Sequence, residues 1–143
     1  MRHFETALVI AAPVDRIWAV LMDVRHWPDW TRSISRIEPL DDGPMGLDSR
    51  IRIIQPNLRP VIWRISEFSE REKFVWVSSS PGVTVTAGHS IRPNRNGSLV
   101  TLTLDMTGIL SAIVASLAGN LTRKYMSYEI HGLKRRCEED RAF

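Results

Sequence analysis

The chain has 143 residues, of which 43% are hydrophobic and 24% charged, which is typical of one globular domain and excludes a disordered chain. Its net charge of +3 is scattered along the sequence without a basic stripe or a recognised module, which argues against nucleic-acid binding. No apolar run reaches the roughly 18 residues that span a bilayer, and no signal-peptide core is present, so we expect a cytoplasmic protein without an integral membrane segment.

The first thirty residues predict a strand, a helix and a tryptophan-rich turn. Residues 3–11 alternate between apolar and polar side chains, as a half-buried strand does. Pro13 suits the first position of a helix, and the apolar residues after it recur on one face, which predicts an amphipathic helix over residues 13–22. A second short helical turn is predicted over residues 28–33, starting at Pro28.

A series of strand-like segments follows, with no helix among them. They cover residues 34–40, 47–55, 60–69, 73–80, 83–92 and 98–107. Their connections are short and rich in turn residues, and such connections join antiparallel neighbours, because a parallel crossover needs about a dozen residues. Together with the first strand, these segments predict a seven-stranded antiparallel sheet.

Residues 109–140 are predicted to form a closing helix whose apolar pattern changes in the middle. In its second half, Met126, Ile130, Leu133 and Cys137 share a face, but in its first half that face carries only Ala112, Ala115 and Gly119. The larger residues Leu110, Val114, Leu117, Leu121, Tyr125 and Tyr128 lie roughly opposite. Either the helix breaks or kinks near Gly119, or a straight helix leaves space beside its small residues. We favour the bend, because Gly followed by Asn is a poor helix interior.

Strand alternation assigns one set of side chains to the side of the closing helix and the other set to water. The residues predicted to point inward are Ile51, Ile53, Val61, Trp63, Ile65, Phe74, Trp76, Ser78, Val83, Val85, Ala87, His89, Ile91, Val100, Leu102, Leu104 and Met106. This set is apolar except for Ser78 and His89, so it predicts a core or an apolar cavity with few polar groups.

His89 is the main candidate for chemistry, because it is a titratable ring on an apolar face. Burial favours the neutral imidazole, which can hydrogen-bond a ligand carbonyl or hydroxyl group or serve as a general base. The alternative is a core histidine bonded to a backbone carbonyl or a buried water. The sequence indicates no carboxylate partner for it.

Aromatic residues are the second candidate set. Trp63 and Trp76 lie on adjacent predicted strands and form either a flat wall for a ligand ring or acyl chain, or part of the core. Trp27 and Trp30 either gate the mouth of a pocket or anchor the turn that holds them. Tyr125 would bond a ligand oxygen if its side chain turned towards the sheet.

No motif for a cofactor, a metal or a covalent nucleophile is present. The chain lacks a phosphate-binding glycine loop, a His/Cys metal spacing and a nucleophile elbow, so we expect no cofactor and no metal. Its single cysteine, Cys137, excludes an internal disulfide and is better explained as a small buried hydrophobe than as a nucleophile.

The order β-α-α-β6-α resembles that of the START-like, or SRPBCC, superfamily, whose helix-grip fold also occurs in the birch-pollen allergen family. The matching residues are Ala12 to Trp18, Asp23, Trp27 to Trp30, Trp63 to Glu67, Phe74 to Trp76, Pro81, Gly82, His89 and Leu133 to Glu138. More specifically, the chain resembles the bacterial polyketide cyclase/dehydrase and lipid-transport branch. The resemblance implies one α+β domain over residues 1–143, with a curved seven-stranded antiparallel sheet around a long C-terminal helix.

The resemblance also implies a cavity between sheet and helix that binds or transports a lipid, an isoprenoid or an aromatic polyketide-like molecule. The candidate ligand contacts are Trp27, Ile53, Trp63, Trp76, Ser78, Val85, His89, Leu104, Met106 and Tyr125. One alternative is a polyketide cyclase or dehydratase with His89 as its proton shuttle. Another is a protein-interaction module that uses the apolar helix face over residues 110–128. We expect a small hydrophobic ligand as the partner of a monomer or homodimer.

Overall fold

Seven antiparallel strands form one curved sheet in the computed structural model, which describes residues 2–139. The strands are β1 (Arg2–Ile10), β2 (Arg36–Pro39), β3 (Arg50–Ile54), β4 (Val61–Ser69), β5 (Lys73–Ser80), β6 (Val83–Asn94) and β7 (Gly97–Thr107), and their order across the sheet is β1-β7-β6-β5-β4-β3-β2. The helices are α1 (Val14–Met22), a 3₁₀ helix (Val24–Asp29) and α2 (Ser111–Glu139). The predicted element order and the helix-grip fold are confirmed, although β2 and β3 are shorter than predicted.

The second helical segment lies earlier in the chain than predicted. The 3₁₀ helix begins at Val24 and contains Pro28, whereas the sequence analysis placed a helical turn over residues 28–33. The backbone N–H groups of Trp30 and Thr31 both donate to the carbonyl oxygen of Trp27, at 3.0 Å each, and these bonds close the segment. A short 3₁₀ helix has few internal hydrogen bonds, so it tolerates the missing N–H of a proline better than an α-helix does.

The alternation of buried and exposed residues along the strands agrees with the prediction over the centre of the sheet. Ile51 and Ile53 are buried on β3, Trp63 and Ile65 on β4, Phe74, Trp76 and Ser78 on β5, and Ala87, His89 and Ile91 on β6. They pack against α1 and against the second half of α2, where Met126, Ile130 and Leu133 are buried. Towards the sheet end near the β5–β6 turn, Val83 and Val85 are only half-buried. The core therefore thins in that direction.

The helix α2 is uninterrupted from Ser111 to Glu139, so the chain does not break at Gly119, and a bend there stays a prediction. Gly119 is buried, and a Cβ atom there would lie 3.8 Å from the Phe4 ring of β1. Gly119 thus packs against the sheet, whereas Ala112 is exposed and Ala115 half-buried, and a cleft separates them from β1. Of the large residues, Leu117 is 84% exposed and faces away, whereas Tyr125 is buried and Val114 and Leu121 are half-buried. Residue 140, the last of the predicted helix, lies outside the described residues.

On the edge strand β1, His3 is held between two carboxylates. Its Nδ1 lies 2.6 Å from Oδ1 of Asp105, its cross-strand partner on β7, and its Nε2 lies 3.1 Å from Oε1 of Glu5. The hydrogen bond to Asp105 and then that to Glu5 raise the pKa of His3 above its ordinary value. Because the folded-state pKa is raised, the resulting stabilisation is present below the ordinary pKa and is lost as pH rises through the raised one.

We expect Asp105→Asn to lower the pKa of His3 towards its ordinary value, as measured by an NMR titration of the imidazole resonances. His26 is the internal control, because its pKa is raised by a different carboxylate, that of Asp23. The titration of His26 should not change in the variant. An unchanged pKa of His3 in the variant would show that the Asp105 carboxylate does not stabilise the protonated imidazole.

Candidate functional site

A cavity of about 100 Å³ lies between the inner face of the sheet and α2. The strands and the 3₁₀ helix contribute mainly apolar and aromatic side chains. The helix α2 contributes Thr122, Tyr125, Met126 and Glu129, and the loop 55–60 between β3 and β4 contributes Gln55 and Leu58. The cavity is therefore enclosed by three parts of the fold, and its few polar groups come mostly from α2.

Most of the side chains predicted as ligand contacts surround this cavity. Those that line it are Trp27, Ile53, Trp63, Trp76, His89, Leu104 and Tyr125. Ser78, Val85 and Met106 do not line it. Ser78 pairs with Val85, and Val85 pairs with Met106, so they form a cross-strand row one step beyond the lining residues Trp76, Ala87 and Leu104. Their side chains point inward as predicted, but they lie along the strands beyond the part of the sheet that lines the cavity.

His89 is only 4% exposed and is packed among aromatic rings. Its ring stacks on Phe74 with centroids 4.2 Å apart and planes 7° apart, and it meets Trp76 edge-on at 5.2 Å. Its Nε2 lies 3.1 Å from Oε1 of Glu129 on α2. An ionised carboxylate only accepts hydrogen bonds, so this contact places a proton on Nε2. Nδ1 is buried and has no hydrogen-bond partner within residues 2–139.

Glu129 is the carboxylate partner that the sequence analysis did not find. Its side chain is 17% exposed and lines the cavity beside His89. One signal in the sequence marked it: residues 109–128 contain no acidic residue, and Glu129 is the first one on α2. It also follows Thr122 and Tyr125 at helical spacing, so all three share a face. Glu67, which shares the strand parity of Trp63 and Ile65, is exposed and pairs with Lys73.

Three tryptophans form an aromatic wall on one side of the cavity. The Trp63 and Trp76 rings are 5.8 Å apart on neighbouring strands, and the Trp27 ring lies 5.4 Å from that of Trp76. Trp27 is fully buried, and its indole N–H donates to the carbonyl oxygen of Leu21 at 3.0 Å. Because Trp27 is fixed at both its ring and its N–H, it anchors the segment that holds it.

Tyr125 ties the helix to the loop 55–60. Its hydroxyl group donates to the carbonyl oxygen of Pro56, so α2 and the loop are joined across one side of the cavity. Within the loop, Asn57 has a φ of +66°, in the left-handed region, and Leu58 is 42% exposed while it lines the cavity. Through Leu58, the loop is thus a part of the cavity wall that is also in contact with solvent.

The fold and the pocket define a START-like protein with a helix-grip architecture. Over residues 1–138 the sequence matches the family described as polyketide cyclase/dehydrase and lipid transport, and the chain belongs to that family. No curated protein matches the sequence.

Solved structures share the fold at low sequence identity. The protein XoxI from Bacillus cereus is 17% identical, with 96% of each chain covered and a TM-score of 0.77. The Zhui aromatase/cyclase from Streptomyces sp. R1128 is 16% identical, with 96% of this chain and 93% of that chain covered and a TM-score of 0.76. A START superfamily protein from Mycobacterium smegmatis is 19% identical, with 96% and 97% covered and a TM-score of 0.73.

Residues 2–139 contain neither a membrane-spanning helix nor a group of metal-binding side chains. None of the helices within residues 2–139 is long and apolar enough to cross a membrane. Within the same range, no three His, Cys, Asp or Glu side chains are grouped so that they would hold a metal ion.

Proposed function

We propose that the chain binds a small hydrophobic molecule that carries a hydroxyl group, in the cavity between the sheet and α2. The observation that supports this proposal is the buried His89–Glu129 pair on an otherwise apolar and aromatic wall. In such sites the apolar lining supplies affinity and a few polar groups orient the ligand. The Glu129 carboxylate has lone pairs left to accept a ligand hydroxyl, whereas the Nε2–H of His89 is already donated to Glu129.

The size of the cavity restricts what fits without rearrangement. A cavity of about 100 Å³ is smaller than the roughly 300 Å³ or more of a typical ligand site, and even benzene occupies an engineered cavity of about 150 Å³. A single ring therefore requires slight expansion. A lipid, an isoprenoid or a polyketide chain requires the loop 55–60 to move and the Tyr125 hydrogen bond to Pro56 to open.

The test uses phenol and toluene, which have nearly the same shape and differ by one hydroxyl group. Binding is followed through the indole N–H resonances of the tryptophans, since Trp27, Trp63 and Trp76 line the cavity and Trp18 does not. We expect both probes to shift the three lining tryptophans. Glu129→Gln should weaken phenol binding about tenfold, because a hydrogen bond to a charged group contributes about 1.5 kcal/mol.

Toluene binding is the control, since it makes no hydrogen bond and should be unchanged by Glu129→Gln. An equal loss for both probes would show that the variant alters the cavity and not the polar contact. If neither probe shifts a lining tryptophan in the wild-type protein, the proposed pocket is wrong. Native mass spectrometry of the purified protein then identifies any larger molecule that occupies the site.

The same pair supports a second proposal, acid–base catalysis of dehydration. The carboxylate orients the imidazole, as in other base–orienter pairs. For a β-hydroxy ketone, the pair removes the proton next to the carbonyl and returns a proton to the departing hydroxyl, so that an enone and water form. We expect turnover of 4-hydroxy-4-phenylbutan-2-one to fall at least a hundredfold in His89→Gln and to be unchanged in Glu67→Gln. No turnover by the wild-type protein would leave binding alone as the function.

A further inference from the structure

Two stretches of the chain that meet at one end of the molecule carry no formal charge. No Asp, Glu, Lys or Arg occurs within residues 74–91 or within residues 106–122. These two stretches meet where the β5–β6 turn lies beside the β7–α2 connection, because the backbone N–H of Leu110 donates to the carbonyl oxygen of Gly82 at 2.8 Å. The first turns of α2 belong to the second of these stretches, and Arg2 of β1 lies beside them.

Large apolar side chains are exposed at this end. Ile109 is 91% exposed, Leu117 84%, Ile113 57% and Leu110 41%. Single exposed apolar residues are common on protein surfaces, but four of them so close in sequence form a patch that indicates an interaction surface. The patch is on the outside of a helix and a turn, so its side chains project outward and do not line a groove.

The same face of α2 becomes cationic further along the helix. Successive steps of four, seven, seven and four residues join Ile113, Leu117, Lys124, His131 and Arg135. This spacing places all five on one side of the helix. All five are exposed. Neither Lys124 nor Arg135 makes an ion pair within residues 2–139.

A further cation lies beside this face. The Arg32 guanidinium sits over the Tyr128 ring at 4.4 Å, and the Lys124 ammonium is 5.7 Å from the same ring. No acidic residue occurs over residues 109–128 to offset these charges. The outer face of α2 is thus apolar at its start and carries cations from Lys124 to Arg135, before Glu138 and Glu139 at the end of the helix.

We propose that this outer face of α2 docks on the surface of an anionic lipid bilayer. Ile109, Ile113 and Leu117 enter the boundary between headgroups and acyl chains, and Lys124 and Arg135 lie against the lipid phosphates. A second copy of the chain is a poor occupant, because it would bring the same unneutralised cations to the contact. The inference concerns a different surface from the cavity and does not rest on the proposed ligand.

The test is co-sedimentation with vesicles of phosphatidylcholine alone and of phosphatidylcholine mixed with phosphatidylglycerol. We expect binding to the mixed vesicles, decreasing as salt is raised. The double variant Ile113→Gln/Leu117→Gln should reduce the partition coefficient at least tenfold on the mixed vesicles. Lys124→Gln and Arg135→Gln should each reduce it about fivefold there.

The control is the double variant Arg52→Gln/Ile62→Gln on the outer face of the sheet. Ile62 is 55% exposed, close to the value for Ile113, and Arg52 is its cross-strand neighbour. The control should bind vesicles like the wild-type protein, and thermal unfolding should confirm that every variant is folded. Equal losses in the control, or no binding to the mixed vesicles, would overturn the proposal. A dimer that Ile113→Gln/Leu117→Gln dissociates, without vesicle binding, would overturn it too.

Discussion

Replacing Gly132 with alanine is expected to lower the free energy of unfolding by about 2 to 3 kcal/mol, although alanine is intrinsically the better helix former. Gly132 is buried on α2 where the helix crosses the segment after the 3₁₀ helix. A Cβ atom there would lie 1.8 Å from the carbonyl oxygen of Trp30 and 2.9 Å from its carbonyl carbon. These are backbone atoms, which cannot rotate away as a side chain can, so α2 itself must shift. Urea unfolding measures the loss.

Gly119 provides the matched control in the same helix. A Cβ atom there would meet its nearest neighbours at 3.5 to 3.9 Å, which is ordinary van der Waals contact. Gly119→Ala should therefore raise the free energy of unfolding by up to about 1 kcal/mol through helix propensity alone. If Gly132→Ala proved as stable as the wild-type protein, the close approach of α2 to Trp30 would be wrong.

Replacing Trp27 with alanine is expected to lower the free energy of unfolding by about 3 to 5 kcal/mol and to enlarge the cavity. Trp27 is fully buried, and its ring contacts those of Trp30, Phe74, Trp76 and His89. The variant loses this packing together with the indole hydrogen bond to Leu21. Because Trp27 lines the cavity, the vacated volume joins it and does not form a separate void.

Added indole should restore part of this stability, because a ligand that binds only the folded state stabilises it. At a concentration one hundred times its dissociation constant, the gain is about 2.7 kcal/mol. Trp18→Ala is the control, since Trp18 is also buried, at 7% exposure, but packs against Phe68 and Phe74 and does not line the cavity. Thermal unfolding with and without indole makes the comparison. If indole stabilised Trp18→Ala as much as Trp27→Ala, the volume vacated at Trp27 would not be part of the cavity.

The sheet could be predicted because strand alternation and turn length are local properties of the sequence. Alternation with a period of two assigns each strand residue to a face, and short turns require antiparallel neighbours, so Trp63 and Trp76 were predicted side by side. Position along the strand is harder to predict. Ser78 and Val85 have the correct orientation, but they lie one row beyond the cavity because its extent depends on which part of the sheet α2 covers.

Which side chains meet in the cavity depends on how α2 packs against the sheet. No local sequence pattern encodes that packing. Glu129 faces His89 because of how α2 is rotated against the sheet, and that rotation is determined by close contacts such as the one at Gly132. The helix continues through Gly119 for the same reason. Helix propensity contributes about 1 kcal/mol at such a position, which is less than the packing of the helix against Phe4 and its neighbours.

The His89–Glu129 hydrogen bond has a consequence for how the site depends on the fold. It joins β6 to α2, two elements whose contacting residues are 40 positions apart in the sequence. The polar part of the pocket therefore exists only while α2 is docked on the sheet. A ligand that contacts both residues binds the docked state alone, so ligand binding and helix docking are thermodynamically linked, and each strengthens the other by the same free energy.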